Sequence, residues 1–184
     1  MLRKGFVIVT VLGCVVAANA ADPVKSGPQV GDKVPGPFKP MNATGPDAGK
    51  EECQYCKNGP KPVAMVFVRD LNPPTVALIK KLEAAAESNK EVEMGCCVVV
   101  LSDAKDLPQS LAGWAKAEKI TRTVLATYAP AGPEKYTIAS DAAVTVLLYT
   151  KFTVKANHSF RTGELADSGV DAVVADVGKI IPKK

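Results

Sequence analysis

The chain of 184 residues carries 23 basic and 19 acidic side chains, a formal net charge of +4. This near balance, with few aromatic residues and no basic stripe, argues against nucleic acid as a partner. A single histidine, His158, leaves little for a Ser-His-Asp or metallohydrolase site, and no glycine-rich phosphate loop is present. The sequence therefore points to no cofactor and no metal.

The first twenty residues have the three parts of a secretory signal peptide. Two basic residues begin the chain, residues 6–18 form a mostly apolar run, and Ala18-Asn19-Ala20 supplies a small-x-small cleavage site. We expect cleavage after Ala20, export to the periplasm or the extracellular space, and no membrane attachment of the mature chain. Two alternatives stay open: a lipoprotein modified at Cys14, and a membrane anchor, for which this run is shorter than the ~20 apolar residues of a spanning helix.

The mature chain of about 164 residues has the size of one domain. Its first part, residues 21–61, is rich in proline and glycine, so it can hold neither a long helix nor a central strand. We expect an extended arm with one short edge strand near residues 38–42. A single domain is predicted to follow over residues 62–184.

Beyond the arm, the apolar pattern predicts alternating strands and helices. Residues 63–68 form a continuous apolar run, which is typical of a strand buried on both faces of a sheet. Asn72 can cap a helix that begins at Pro73-Pro74. The predicted strands are 63–68, 92–101, 144–149 and 152–158, and the predicted helices are 75–89, 107–119 and 168–181. We expect the strands 63–68, 92–101 and 144–149 to lie side by side at the centre of one sheet.

The order of these elements resembles that of the thioredoxin fold. The segment Val30–Phe38, which reads V-G-D-K-V-P-G-P-F, also resembles the G-D-x-x-P-x-F motif of peroxiredoxins and related thioredoxin-like proteins. The resemblance implies an α/β fold with a central mixed sheet of four or five strands and helices on both faces.

The catalytic positions of this superfamily are not matched. The turn after the first core strand, Arg69–Thr75, contains no cysteine, whereas thioredoxins and peroxiredoxins place their reactive cysteine there. The segment Ser140–Val144, where the family's cis-proline would precede the antiparallel strand pair, contains no proline. The resemblance therefore implies a degenerate active site.

A Cys-x-x-Cys motif occurs elsewhere, at Cys53 and Cys56 in the proline-rich arm. Two thiols at this spacing can close a small disulfide or exchange with the disulfide of a partner. Because Gly59-Pro60 follows at once, we expect an exposed loop with no helix N-terminus beside the thiols. Nearby lysines would favour the thiolate and nearby glutamates would oppose it; these residues are Lys50, Lys57, Lys61, Glu51 and Glu52. An inert disulfide, a redox pair and a metal ligand pair all stay open for Cys53 and Cys56.

A second pair, Cys96 and Cys97, lies inside a predicted strand. Adjacent strand residues point to opposite faces, so the two thiols cannot bind one metal ion without breaking the strand. We expect both to be buried and reduced, as free cysteine commonly is in protein cores. A four-cysteine zinc site would need a second Cys-x-x-Cys pair, which the sequence lacks.

Two functions compete on this basis. The first is an exported thioredoxin-fold protein with thiol-disulfide activity through Cys53 and Cys56, acting on a thiol or disulfide of a partner protein. If the chain is an enzyme, it is then a thiol-disulfide oxidoreductase. The second is a non-catalytic binding or structural module in which the Cys53–Cys56 pair is an inert disulfide.

Overall fold

The computed structural model describes residues 22–183, so the predicted signal peptide and Cys14 lie outside the described residues. Within that range six strands form one mixed sheet in the order β1-β4-β3-β2-β5-β6. The strands are β1 (Met41–Asn42), β2 (Val63–Val68), β3 (Gly95–Leu101), β4 (Thr123–Tyr128), β5 (Ala142–Thr150) and β6 (Thr153–Arg161). The helices are α1 (Gln54–Asn58), α2 (Pro73–Ser88), α3 (Leu107–Ala117) and α4 (Asp167–Asp176). Three single-turn 3₁₀ helices lie at Lys90–Val92, Glu134–Tyr136 and Val177–Lys179.

The centre of the sheet confirms the predicted strand arrangement. β2 pairs in parallel with β3 and antiparallel with β5, and β3 pairs in parallel with β4. The prediction of a short edge strand in the arm is also confirmed, because β1 pairs antiparallel with β4 at the sheet edge. The thioredoxin-like order of elements is thus realised, with six strands in place of four or five.

The element boundaries follow from local chemistry. The side chain of Asn72 accepts a hydrogen bond from the Thr75 N–H at 3.1 Å, which caps α2 as predicted. β3 begins at Gly95 and not at residue 92, because Lys90–Val92 coil into a 3₁₀ turn and Glu93 takes a positive φ of 53°. The last helix ends at Asp176, five residues before its predicted end at residue 181, and continues as a 3₁₀ turn to Lys179.

All three longer helices cover the same face of the sheet. α2, α3 and α4 contribute buried side chains to one hydrophobic cluster with alternate residues of β2 and β3. This differs from the expected helices on both faces. The parallel connections β2-α2-β3 and β3-α3-β4 step in the same direction across the sheet, and right-handed crossovers then place both helices on one side.

The opposite face is covered by the arm and by the Glu134–Tyr136 turn. Val34 and Phe38 are buried there against Met65, Phe67 and other residues of a second hydrophobic cluster. The Phe38 ring lies 5.9 Å from that of Phe67 and 5.1 Å from that of Tyr136, measured between centroids. Residues 34–38 of the arm therefore cover this face of the sheet, whereas Ala43, just after β1, belongs to the helix-covered cluster.

Candidate functional site

Cys53 and Cys56 form a disulfide, with their Cα atoms 5.3 Å apart. The prediction that no helix begins here is wrong, because Cys53 is the N-cap of the one-turn helix α1. Its Sγ accepts a hydrogen bond from the Cys56 N–H at 3.1 Å. Gly59, at a φ of 57°, terminates the helix, so the Gly59-Pro60 step limits its length but does not prevent it.

The two sulfur-bearing residues differ in accessibility. Cys56 is exposed, whereas Cys53 is only 6% exposed. The expectation that both cysteines are accessible is therefore correct for Cys56 and wrong for Cys53. Gln54, which directly follows Cys53, is also buried, and its Nε2 donates to Oδ1 of the fully buried Asn42 in β1 at 3.2 Å. This buried polar contact holds the start of α1 against the sheet edge.

The charges around α1 are largely compensated. Lys57 forms an ion pair with Asp47, and Lys61 pairs with Glu93 at 2.8 Å. Both lysines were expected to favour a thiolate at the cysteine pair. Their carboxylate partners offset that influence, which leaves the Cys56 N–H as the defined polar contact to a sulfur in this motif.

The last residues of α1 lie at the end of the sheet where the central strands β2 and β3 begin. The Asn58 side chain lies so close to Gly95, the first residue of β3, that a Cβ on Gly95 would overlap it. Pro60 accepts a hydrogen bond from the Lys151 N–H just after β5 ends. The turn that carries the reactive cysteine in thioredoxin-like enzymes follows the other end of β2, about 20 Å along a strand of this length.

At that other end, an arginine occupies the place where a catalytic turn would begin. The Arg69 guanidinium donates to the carbonyl oxygens of Pro130 at 2.5 Å, Ala139 at 3.3 Å and Ala142 at 3.1 Å. These bonds fasten the loop between β4 and β5 to the end of β2. The sequence did not indicate this role, because the three acceptors are backbone atoms about sixty to seventy residues further along the chain.

Cys96 and Cys97 lie in β3 as free thiols, and both are buried, which confirms the prediction. Cys96 belongs to the helix-covered cluster and Cys97 to the arm-covered cluster, on opposite faces of the strand. Burial raises the pKa of the Cys96 thiol to about 12, and burial also raises the pKa of Cys97. Neither thiol is suited to nucleophilic chemistry near neutral pH.

His158 lies on the edge strand β6, within the predicted strand 152–158, but its side chain is only 19% exposed and so is not a free surface residue. Its Nε2 contacts Oδ2 of Asp176 at 3.0 Å, and the His158 ring stacks on Phe160. An open cleft of about 600 Å³ lies beside it, bounded by Asp22–Lys25, Gln29 and Asn157–Phe160. No cysteine lines this cleft, so it is separate from the disulfide.

Residues 22–183 contain neither a membrane-spanning helix nor a cluster of metal ligands. No helix in this range is long and apolar enough to cross a membrane. Over the same range, no three histidine, cysteine or carboxylate side chains converge as metal ligands would.

Comparison with known proteins places the fold. No protein-family model matches the chain, and no curated protein sequence matches it. Among solved structures, a Bacteroides thetaiotaomicron protein assigned as a protein disulfide isomerase superposes with a TM-score of 0.62 at 12% identity, over 87% of this chain and 96% of that one. The reduced 2-Cys peroxiredoxin of Plasmodium vivax gives a TM-score of 0.58 at 16% identity, over 82% and 81% of the two chains. A Chlorobium tepidum protein assigned as the thiol:disulfide interchange protein DsbE gives 0.55 at 18% identity, over 82% and 99%. At these identities the likeness concerns the fold, and the protein has a thioredoxin-like fold.

Proposed function

We propose that this chain is an exported thioredoxin-fold protein that exchanges disulfides with cysteines of a partner protein through Cys53 and Cys56. The observation that carries the proposal is the asymmetry of the pair. Cys56 is an exposed residue, and its disulfide partner is the buried Cys53, whose sulfur already accepts a hydrogen bond.

The geometry supports a defined direction of attack. A partner thiolate attacks Sγ of Cys56, a new S–S bond forms, and the Cys53–Cys56 bond breaks with its electron pair left on Cys53. The Cys56 N–H then stabilises the Cys53 thiolate, because a hydrogen bond to the charged form lowers the pKa of a leaving thiol. A second thiolate of the partner then attacks the partner's sulfur in the mixed disulfide. This forms a disulfide within the partner and releases Cys56 in its reduced form.

Export is part of the proposal. Its support is the predicted signal peptide of residues 1–20, and a Cys53–Cys56 disulfide that stays formed would suit an oxidising compartment. N-terminal sequencing of the secreted form should begin at Ala21 or within a residue or two. A mature chain that begins at a lipid-modified Cys14 would contradict cleavage after Ala20 and show that the protein is a lipoprotein.

The decisive experiment is a redox titration of the mature protein combined with trapping by two matched variants. The wild-type disulfide should titrate with a midpoint potential above about −300 mV, since structural disulfides commonly lie below that value. Cys53→Ser leaves the exposed Cys56 and should form a mixed disulfide with a disulfide-bonded peptide. Cys56→Ser leaves the buried Cys53 and should form it at least about tenfold more slowly, because access governs thiol reactivity.

The alternative function is a non-catalytic module in which the disulfide only fastens the arm. The buried contact between Gln54 and Asn42 favours it, because it shows α1 anchored to the sheet edge by groups that do no thiol chemistry. This alternative predicts a midpoint well below −300 mV. It also predicts no turnover with insulin, whichever of the two cysteine variants is trapped faster.

A further inference from the structure

A strained hairpin turn lies beside the cysteine pair. β5 and β6 are joined by Lys151 and Phe152, whose φ angles are 51° and 60°, and Thr150 pairs with Thr153 on either side. This is the geometry of a type I′ turn, which favours asparagine and glycine because a bulky side chain is strained at positive φ. A phenylalanine in this position weakens the turn itself, so a contact outside the turn has to offset the strain.

That contact is with the cysteine motif. The Phe152 ring packs on the ring of Tyr55, the residue before Cys56, with centroids 5.1 Å apart. The turn is fixed against α1 and the arm by its backbone, since the Lys151 N–H donates to Pro60 and the Phe152 carbonyl accepts from the Val34 N–H, both at 2.9 Å. Tyr55 and Phe152 both remain partly exposed. Tyr55 also packs against the arm-covered cluster, so the exposed parts of the two rings form a small apolar surface, one residue of which directly precedes the exposed Cys56.

Two of the lysines near this surface have carboxylate partners. Lys57 is paired with Asp47, and Lys61 is paired with Glu93. Aromatic side chains on such a surface gain most from apolar and aromatic partners, which they contact through ring edges and faces.

We propose that Tyr55 and Phe152 determine the specificity of the cysteine pair. They select an extended segment of a partner protein in which an aromatic or apolar residue adjoins the reacting cysteine. This inference rests on the proposed exchange at Cys56 and names the class of segment that Cys56 engages. The side chain beside the partner cysteine packs on the Tyr55–Phe152 surface while the sulfur atoms react.

The test compares two peptides, one with phenylalanine and one with serine before its cysteine, each presented as a mixed disulfide with a chromogenic aryl thiol. The reduced protein attacks through the Cys56 thiolate and releases the aryl thiolate. Cys53 then displaces the peptide thiol and restores the protein disulfide. We expect wild-type protein to react about five- to tenfold faster with the phenylalanine peptide, the size of one aromatic contact.

Two glycine variants of the same turn separate specificity from strain. Phe152→Gly relieves the positive φ and removes the ring, and should reduce the preference to about twofold or less. Lys151→Gly relieves the strain at the neighbouring position and keeps the ring, and should retain the full preference. Tyr55→Ala removes the other ring while the sequence of the turn stays unchanged, and it should also lose the preference, which keeps the test valid if Phe152→Gly folds poorly.

The outcomes are distinct. A wild-type protein that reacts equally with both peptides, or equal losses in Lys151→Gly and Phe152→Gly, would overturn the specificity role while leaving exchange at Cys56 intact. Release of the chromophore from neither peptide would refute exchange itself, and this inference with it.

Discussion

At the scale of single residues, the four cysteines of residues 22–183 should fall into three reactivity classes. Cys56 is exposed, Cys53 is almost buried, and Cys96 and Cys97 are enclosed in β3. Only thiolates react with alkylating reagents, so burial slows the reaction both by blocking access and by raising the pKa, to about 12 for Cys96.

The corresponding experiment is timed alkylation after mild reduction under native conditions, with mass spectrometry of each cysteine. Cys56 should be modified first, Cys53 more slowly, and Cys96 and Cys97 only when the protein is unfolded. If Cys96 reacted as fast as Cys56, the buried-strand assignment would be contradicted and a site shared by all four thiols would need to be considered.

The contrast between the two pairs shows what the sequence could predict. Burial of Cys96 and Cys97 follows from a long uninterrupted apolar run, which is a local property of the sequence. Burial of Cys53 depends on the contact of Gln54 with Asn42 twelve residues earlier, and on β1 pairing with a distant strand. Side-chain amides carry no periodic signal, so neither the helix α1 nor the asymmetry of the disulfide could be predicted.

At the scale of secondary-structure elements, a carboxylate joins α2 to the start of β4. Glu83 accepts hydrogen bonds from the backbone N–H groups of Thr121 at 2.7 Å, Arg122 at 2.9 Å and Thr123 at 2.7 Å. Burial opposes ionisation of Glu83, but these hydrogen bonds outweigh it and lower the pKa of the carboxyl below its usual value.

Glu83→Gln should therefore destabilise the protein at neutral pH, by about 1 kcal/mol after allowance for solvent screening. The lowered pKa means that the wild-type carboxylate stabilises the fold above the pKa of the unfolded chain, and that this contribution is lost as the pH falls through the folded pKa. Urea unfolding at neutral pH should separate the two proteins. At a pH well below the folded pKa their free energies of unfolding should converge, and a difference that persisted there would contradict the electrostatic explanation.

The sequence predicts where the helices lie along the chain but not which face of the sheet they cover. The positions of α2, α3 and α4 along the chain are predictable from apolar spacing and from caps such as Asn72. Their placement on one face depends on the direction in which the parallel strands are added to the sheet, which the helical pattern does not encode.

At the scale of the whole molecule, the thioredoxin-like sheet is combined with an unusual position for its disulfide. The turn after β2 is occupied by Arg69 and its carbonyl partners, whereas the end of α1 and the Lys151–Phe152 turn meet at the other end of the sheet. An apolar surface made by Tyr55 and Phe152 beside the disulfide would supply substrate contacts there. The fold thus retains its sheet and topology with the candidate chemistry at a different edge.

The arm also has a structural role, because it covers one face of the sheet. Residues 21–61 were predicted as an arm preceding a domain over residues 62–184. Within this arm, Val34 and Phe38 lie in the hydrophobic cluster on the sheet face opposite α2, α3 and α4. Without the arm, this sheet face would expose a continuous apolar surface; its main residues are Met65, Phe67, Cys97, Val99, Leu147 and Tyr149. Exposed apolar patches of this kind lead to aggregation or to loss of the packed state.

We therefore expect residues 62–184, expressed alone, to lack a cooperative unfolding transition and to bind a hydrophobic dye, in contrast to the mature chain.

Phe38→Ala in the full mature chain provides the milder test. Phe38 is 8% exposed and contacts the rings of Phe67, Tyr128 and Tyr136, so its truncation should cost about 3 kcal/mol in the free energy of unfolding. Val30→Ala is the matched control, because Val30 lies in the same arm but is 65% exposed, and it should leave the stability nearly unchanged. Cooperative unfolding of residues 62–184 at the midpoint of the mature protein would instead show that the arm is an appendage, and that the sheet is stable with one face uncovered.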